Sequence, residues 1–141
     1  KILNNDIFFP QVKSLISEGK EVEITPTGNS MLPFIRGGED SVVLSAPDEL
    51  NTGDILLALL PRQQQYVLHR LIKKDGHNLT LRGDGNIVGE EYCTENDIIA
   101  KVIAIKRPNG QKKHLSKARL WQRLYPFRRY LLKIYRKVIS N

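Results

Sequence analysis

What this chain has little of narrows its reading first. A single cysteine, Cys93, excludes an internal disulfide framework and any metal site built from several thiolates. His77 and His114 stand far apart, with no His or Cys partner at ligand spacing, so neither a metal nor a cofactor is expected. No apolar run approaches the roughly 20 residues of a membrane-spanning helix. The best stretches, 55–60 and 98–105, are far shorter, and Lys101 interrupts the second. The opening residues lack the basic, apolar, small-residue order of a secretory leader. Acidic residues are missing altogether from position 106 onward, a stretch with twelve Lys/Arg; residues 1–105 hold ten Lys/Arg and all 15 Asp/Glu. The net charge of +7 therefore belongs to a basic appendage on a mildly acidic body, which makes nucleic acid an unfavoured partner. Internal repeats and low-complexity segments are also absent.

What is present reads as one domain with a tail. The 141 residues, 40% hydrophobic and 26% charged, suffice for a core without staples. Asn5 or Asp6 can cap a short helix over 5–18, in which Pro10 suits only the first turn, and Gly19 stops it. The apolar period then changes from helical to two. Strands are expected over 21–25, 41–45, 55–60, 66–73, 78–82 and 97–107, separated by Gly, Pro, Asn and Asp. Asn109-Gly110 is a type I′ turn signal, and 114–117 starts either a final strand or the tail. Short strands at close intervals imply a mainly β fold, a twisted antiparallel sheet or partly closed barrel. The expected organisation is a β domain over 1–116 followed by a basic amphipathic helical tail over 117–141, broken or restarted at Pro126.

Chemistry concentrates around Gly28-Asn29-Ser30-Met31-Leu32-Pro33. A nucleophilic serine needs an exposed, firmly held backbone position where its hydroxyl meets a base and amides face a developing oxyanion. Gly28 removes bulk beside Ser30, and Pro33 stiffens the chain after it. Alone, the motif is equally compatible with a serine in a structural turn. His69 can accept a serine proton near neutral pH, and an Asp on its other ring nitrogen would fix the tautomer. If strands 66–73 and 78–82 form a hairpin, His69 and Asp84 lie on neighbouring backbone. The bland readings are a core histidine and a turn aspartate.

Five further blocks follow the serine motif in order: Gly38-Glu39-Asp40, Gly53-Asp54-Ile55-Leu56, Val67-Leu68-His69-Arg70-Leu71-Ile72, Leu81-Arg82-Gly83-Asp84-Gly85-Asn86 and Asn96-Asp97-Ile98-Ile99-Ala100-Lys101-Val102. In that order and spacing the series resembles the boxes of the signal peptidase I / LexA-like serine peptidase superfamily, over about residues 22–105. The resemblance implies Ser30 as nucleophile, with the backbone amides of Ser30 and Met31 as oxyanion donors. His69, followed by Arg70, stands where bacterial signal peptidases and LexA-type repressors carry a lysine base. It looks like the Ser/His variant of endoplasmic-reticulum, archaeal and some Gram-positive signal peptidases. Asp84 would be the acid supporting His69, while Asp97 matches a second, structural acidic position; Gly28, Pro33 and Arg70 would support the site. The pattern departs at Gly28, where the family often has a Ser or Thr donor to the oxyanion, a contribution of ~2.7–4 kcal/mol where it operates. The anchoring helix of signal peptidases is also missing from this sequence.

The implied activity is a serine endopeptidase that cuts an extended leader or signal-like peptide through an acyl-enzyme. One alternative is a non-catalytic peptide-binding or membrane-associated module on the same fold. Another is a LexA-like self-cleaving regulator. Trp121, Tyr125, Phe127, Tyr130 and Tyr135 interleave with the tail's basic residues, so an anionic membrane surface is an expected partner of 117–141, beside packing of the tail on the body. The expected location is accordingly cytoplasmic or peripheral at a membrane.

Overall fold

The computed structural model describes residues 5–28, 30–85 and 89–115. The tail over 117–141, with the helix and the membrane partner expected of it, lies outside the described residues. Among the described residues no helix is long and apolar enough to cross a membrane.

Helix α1 (Asn5–Ser17) opens the chain. Pro10 lies inside it rather than in its first turn, so the helix forgoes one internal backbone bond. Gly19, at a φ of +84°, takes the left-handed conformation that ends helices readily. Among the described residues eight strands follow: β1 (Val22–Ile24), β2 (Ser41–Ser45), β3 (Ile55–Leu60), β4 (Gln65–Asp75), β5 (Asn78–Arg82), β6 (Glu91–Thr94), β7 (Ile98–Lys106) and β8 (Lys112–His114). They form one antiparallel sheet in the order β1-β2-β7-β3-β4-β5-β6, with β8 also paired to β7. The sheet curls into a half-barrel, so that β3 also touches β6. The mainly β, partly closed architecture expected from the strand pattern is present.

Strand period two builds two cores from one sheet. The run Ile55-Leu56-Leu57-Ala58-Leu59-Leu60 is apolar throughout because both faces of β3 are covered. Ile55 and Leu57 join α1 residues Val12 and Ile16, together with Met31 and Ile35. Leu56, Ala58 and Leu60 point the other way, to Val67, Leu71, Leu79, Leu81 and Cys93 inside the curl. The helix also reaches the sheet's edge region. Phe9 stacks on Tyr66 of β4, with ring centroids 4.3 Å apart.

Two turns refine the sequence reading. Gly76 (φ +60°) lies between the paired Asp75 and Asn78, the first central position of a two-residue loop, where a type II′ turn needs glycine. The β7–β8 connection is not the expected type I′ turn. The Gly110 N–H donates to the Arg107 carbonyl, making Pro108 and Asn109 its central residues, and Gly110 alone of the loop has positive φ. Pro108 cannot adopt the positive φ that type I′ would require there.

Cys93 sits on β6, an edge strand that the sequence reading passed over. Burial pushes its thiol up to about 11, and the carboxylates of Asp97 and Glu91 push in the same direction. Little reactive thiolate is therefore present at pH 8. In the folded protein Cys93 is expected to react with a disulfide reagent at least tenfold more slowly than after denaturation in urea, as followed by thionitrobenzoate release. Equal rates would show that β6 opens freely.

Candidate active site

The serine turn is held from three sides. Gly28 has a φ of +86°, in the left-handed region. A Ser or Thr there would be strained in its backbone, although a Cβ would meet nothing within 4 Å. This accounts for glycine where the family resemblance implies a hydroxyl donor. Gly37 crosses so close to Gly28 that a Cβ on Gly37 would lie 1.8 Å from the Gly28 carbonyl oxygen. The Gly38 N–H donates to the Pro26 carbonyl at 2.7 Å, closing the turn's base. Within the turn the Ile35 N–H donates to the Met31 carbonyl at 3.0 Å, and the Leu32–Pro33 peptide is cis. Asp40, fully buried, accepts from the Arg36 N–H at 2.7 Å and from Arg107, which also donates to the Phe34 carbonyl at 2.9 Å. From the loop after β5, the Gly85 N–H donates to the Ser30 carbonyl at 2.6 Å.

Ser30 and His69 line one cleft of about 390 Å³, with Gly28, Tyr66 and Glu91 among its other walls. Ser30 is half-buried and His69 buried. Among the described residues no hydrogen bond joins the Ser30 hydroxyl to the imidazole. No acceptor among the described residues takes the N–H of Ser30 or Met31, the two expected oxyanion donors. Residues 65–69 of β4 pair with β3 along one edge, whereas β5 reaches only to Arg82, opposite Arg70. The far edge of 65–69 is thus left beside the cleft without a strand partner in β5.

Neighbouring residues on β4 go to opposite faces. His69 lies with Val67 and Leu71 on the face of the inner core. Arg70 lies on the other face, its guanidinium 4.9 Å from the Phe34 ring centre. Here the expected His69–Asp84 pair is corrected. The β4–β5 hairpin forms, but Asp84 falls on the arginine's side of the sheet. Its Oδ1 accepts from Arg70 Nε at 2.7 Å and its Oδ2 from Arg70 Nη2 at 2.5 Å. Arg70 Nη1 donates to the Gly53 carbonyl at 2.7 Å, and both side chains are fully buried. The Asp84 N–H also contacts the Met31 sulfur at 3.4 Å. Arg70 and Asp84 thus latch β4 to the loop that holds Ser30.

The imidazole has a different acid. His69 Nδ1 lies 2.5 Å from Glu91 Oε1, with the two side chains 7% and 22% exposed. Sequence reasoning missed Glu91 because 87–96 shows no sustained alternation, and β6 is only four residues long. Asp97 stays apart from the cleft. Its carboxylate accepts from the Thr94 N–H at 2.8 Å and the Thr94 hydroxyl at 3.1 Å, capping the short 3-10 turn Glu95–Asp97 before β7.

No family model matches the chain. A LexA repressor from Pelotomaculum thermopropionicum is 28% identical over 104 residues, covering 74% of this chain and 50% of that protein. The chain thus spans about half the length of this relative. Together with the curled antiparallel sheet, the similarity supports a LexA-like fold.

Proposed function

We propose that this domain is a serine peptidase in which Ser30 is the nucleophile and His69 the base. The observation that carries this reading is their meeting in one cleft, beside an open stretch of β4 edge. An extended peptide laid along residues 65–69 would gain main-chain hydrogen bonds and present its carbonyl to Ser30. Ser30 Oγ bonds to the carbonyl carbon while its proton passes to His69. The carbonyl oxygen becomes the oxyanion, facing the amides of Ser30 and Met31. Collapse breaks the carbon–nitrogen bond, and His69 gives the proton to the leaving amine. Water, deprotonated by His69, then bonds to the acyl carbon; collapse breaks the bond to Ser30 Oγ, which regains its proton from His69 as the acid product leaves. A leader or signal-like segment is the substrate class that the family resemblance favours.

Ser30→Ala is expected to abolish labelling by a fluorophosphonate that the wild-type protein accepts, read by gel fluorescence and intact mass. Equal labelling of the two proteins would remove Ser30 from the chemistry. A second reading, a LexA-like self-cleaving regulator, is favoured by the repressor relative. Self-cleavage at a rate independent of protein concentration supports the regulator; turnover of added peptides supports the endopeptidase. A folded domain that binds extended peptides without Ser30-dependent labelling would be the non-catalytic module.

A further inference from the structure

We infer that Glu91 is the positioning residue of this site, its carboxylate holding the His69 imidazole through Nδ1 so that Nε2 is the nitrogen left for Ser30. The inference rests on the Ser30/His69 reading and deepens it.

Three observations converge on Glu91. The contact itself is short, 2.5 Å, between two side chains that are largely shielded from water. An exposed ion pair would contribute little; a shielded one fixes geometry. The architecture also aims Glu91 at the imidazole. It is the first residue of β6, held in register opposite Leu81 of β5, which in turn faces Leu71 of β4. His69 lies two residues back along β4, just past the end of β5 at Arg82, so the Glu91 side chain reaches it through the gap that β5 leaves. Finally, the competing acid is committed elsewhere, because Arg70 engages both carboxylate oxygens of Asp84 on the opposite face.

The charges around His69 leave Glu91 alone in this role. Of the described residues lining the cleft, Glu91 is the one acid, and Tyr66 is the one titratable group besides it and His69. β3 offers the uncharged Leu56 opposite His69. On β4 the next residue, Arg70, is matched by Asp84. Arg82 at the end of β5 pairs with Glu90 at 3.0 Å, which draws Glu90 away from the imidazole. Cys93, next but one on β6, belongs to the inner core.

The chemical consequence is a division of labour. Nδ1–H donates to Glu91, which fixes the tautomer and the ring's orientation. When Nε2 takes the Ser30 proton, the ring becomes an imidazolium, and the adjacent carboxylate stabilises it without accepting the proton. Asp84 acts through Arg70 on the position of the Ser30 turn and not on the base.

The test is the rate of fluorophosphonate labelling of Ser30 against pH in the wild type, Glu91→Gln, Glu91→Asp and Asp84→Asn, with Ser30→Ala as blank and circular dichroism as the check of folding. Folded Glu91→Gln is expected to label at least about 100-fold more slowly. The loss should hold at every pH tested, because the amide offers the imidazolium no counter-charge. Glu91→Asp, keeping the charge on a shorter arm, should recover part of the rate. A merely structural pair would show no such rescue, because folded Glu91→Gln would already label as the wild type does. Wild-type rates in Glu91→Gln overturn the inference, as does a folded Asp84→Asn that alone shows the slow rate. If Glu91→Gln does not fold, Glu91→Asp decides: an intermediate rate supports the role, and an unchanged one overturns it. Failure of the underlying reading looks different, since wild-type protein would then show no Ser30-dependent labelling at any pH, and the inference would fall with it.

Discussion

Arg70→Ala is expected to lower the unfolding free energy by about 3–5 kcal/mol, measured by urea denaturation followed by circular dichroism. The reason is the environment of its partner. Arg70 and Asp84 are both fully buried, and their two parallel hydrogen bonds satisfy charges that water cannot reach. Truncating the arginine leaves a carboxylate inside the protein and strips the Gly53 carbonyl of a donor. It also removes one of the two cations over the Phe34 ring, leaving Lys113. A small domain holds only about 5–15 kcal/mol in total, so a loss of this size leaves much of the protein unfolded or close to it. Asp84→Ala should be comparably damaging, by exposing the complementary charge to the same interior. The double change Arg70→Met with Asp84→Leu separates charge burial from packing. It should recover much of the stability, since apolar replacements of buried pairs are often tolerated. Recovery of stability without recovery of Ser30 labelling is the expected pattern, because the Gly85 loop would no longer be latched to the base strand. A single Arg70→Ala with wild-type stability would show that the pair is not the buried unit described.

Gly37→Ala is expected to act on the Ser30 turn before it acts on the whole fold. Gly37 has no positive φ, so alanine meets no conformational penalty there. The obstacle is contact: the new methyl would sit 1.8 Å from the carbonyl oxygen of Gly28 and 2.6 Å from its nitrogen. Both obstructing atoms are backbone, so no side chain can swing aside. The turn carrying Ser30 must move by an ångström or more, and misplacement on that scale is enough to cost about 100-fold in rate. Overpacking of this kind costs about 1–3 kcal/mol in stability. The expected signature is therefore a folded protein, modestly lowered in midpoint, with labelling of Ser30 reduced by about two orders of magnitude. Wild-type labelling would mean that the Gly28–Gly37 crossing is dispensable.

Sequence patterning revealed most of the sheet and part of the site, and the divide between them is physical. Strands such as Ile55–Leu60 and Ile98–Lys106 declare themselves because packing on both faces demands long apolar runs. The glycine-flanked turn of Ser30 is a local feature that sequence can mark, and the structure brings it to the same cleft as His69. The carboxylate beside the imidazole was not legible. Asp84 stands in a conspicuous Gly-Asp-Gly turn, whereas Glu91 opens a four-residue edge strand with no periodicity to mark it. Proximity along the hairpin correctly placed Asp84 near β4. It could not tell which face Asp84 would meet, because that depends on where β5 ends and on the arginine already waiting there. The Gly37–Gly28 crossing was equally silent, since a contact between two backbones nine residues apart leaves no mark except the glycines themselves.

The adjacency of His69 and Arg70 ties chemistry to correct folding. Side chains alternate across a strand, so a slip of β4 by one residue would exchange the two faces. The imidazole would be carried to the Phe34 and Asp84 side, and a guanidinium, which cannot give up its proton at ordinary pH, would face Glu91. On the proposed reading, such a chain would have a nucleophile without a base and a latch without its arginine. Copies of the domain in the wrong register would then be chemically silent, and reaching the native strand register would itself assemble the site.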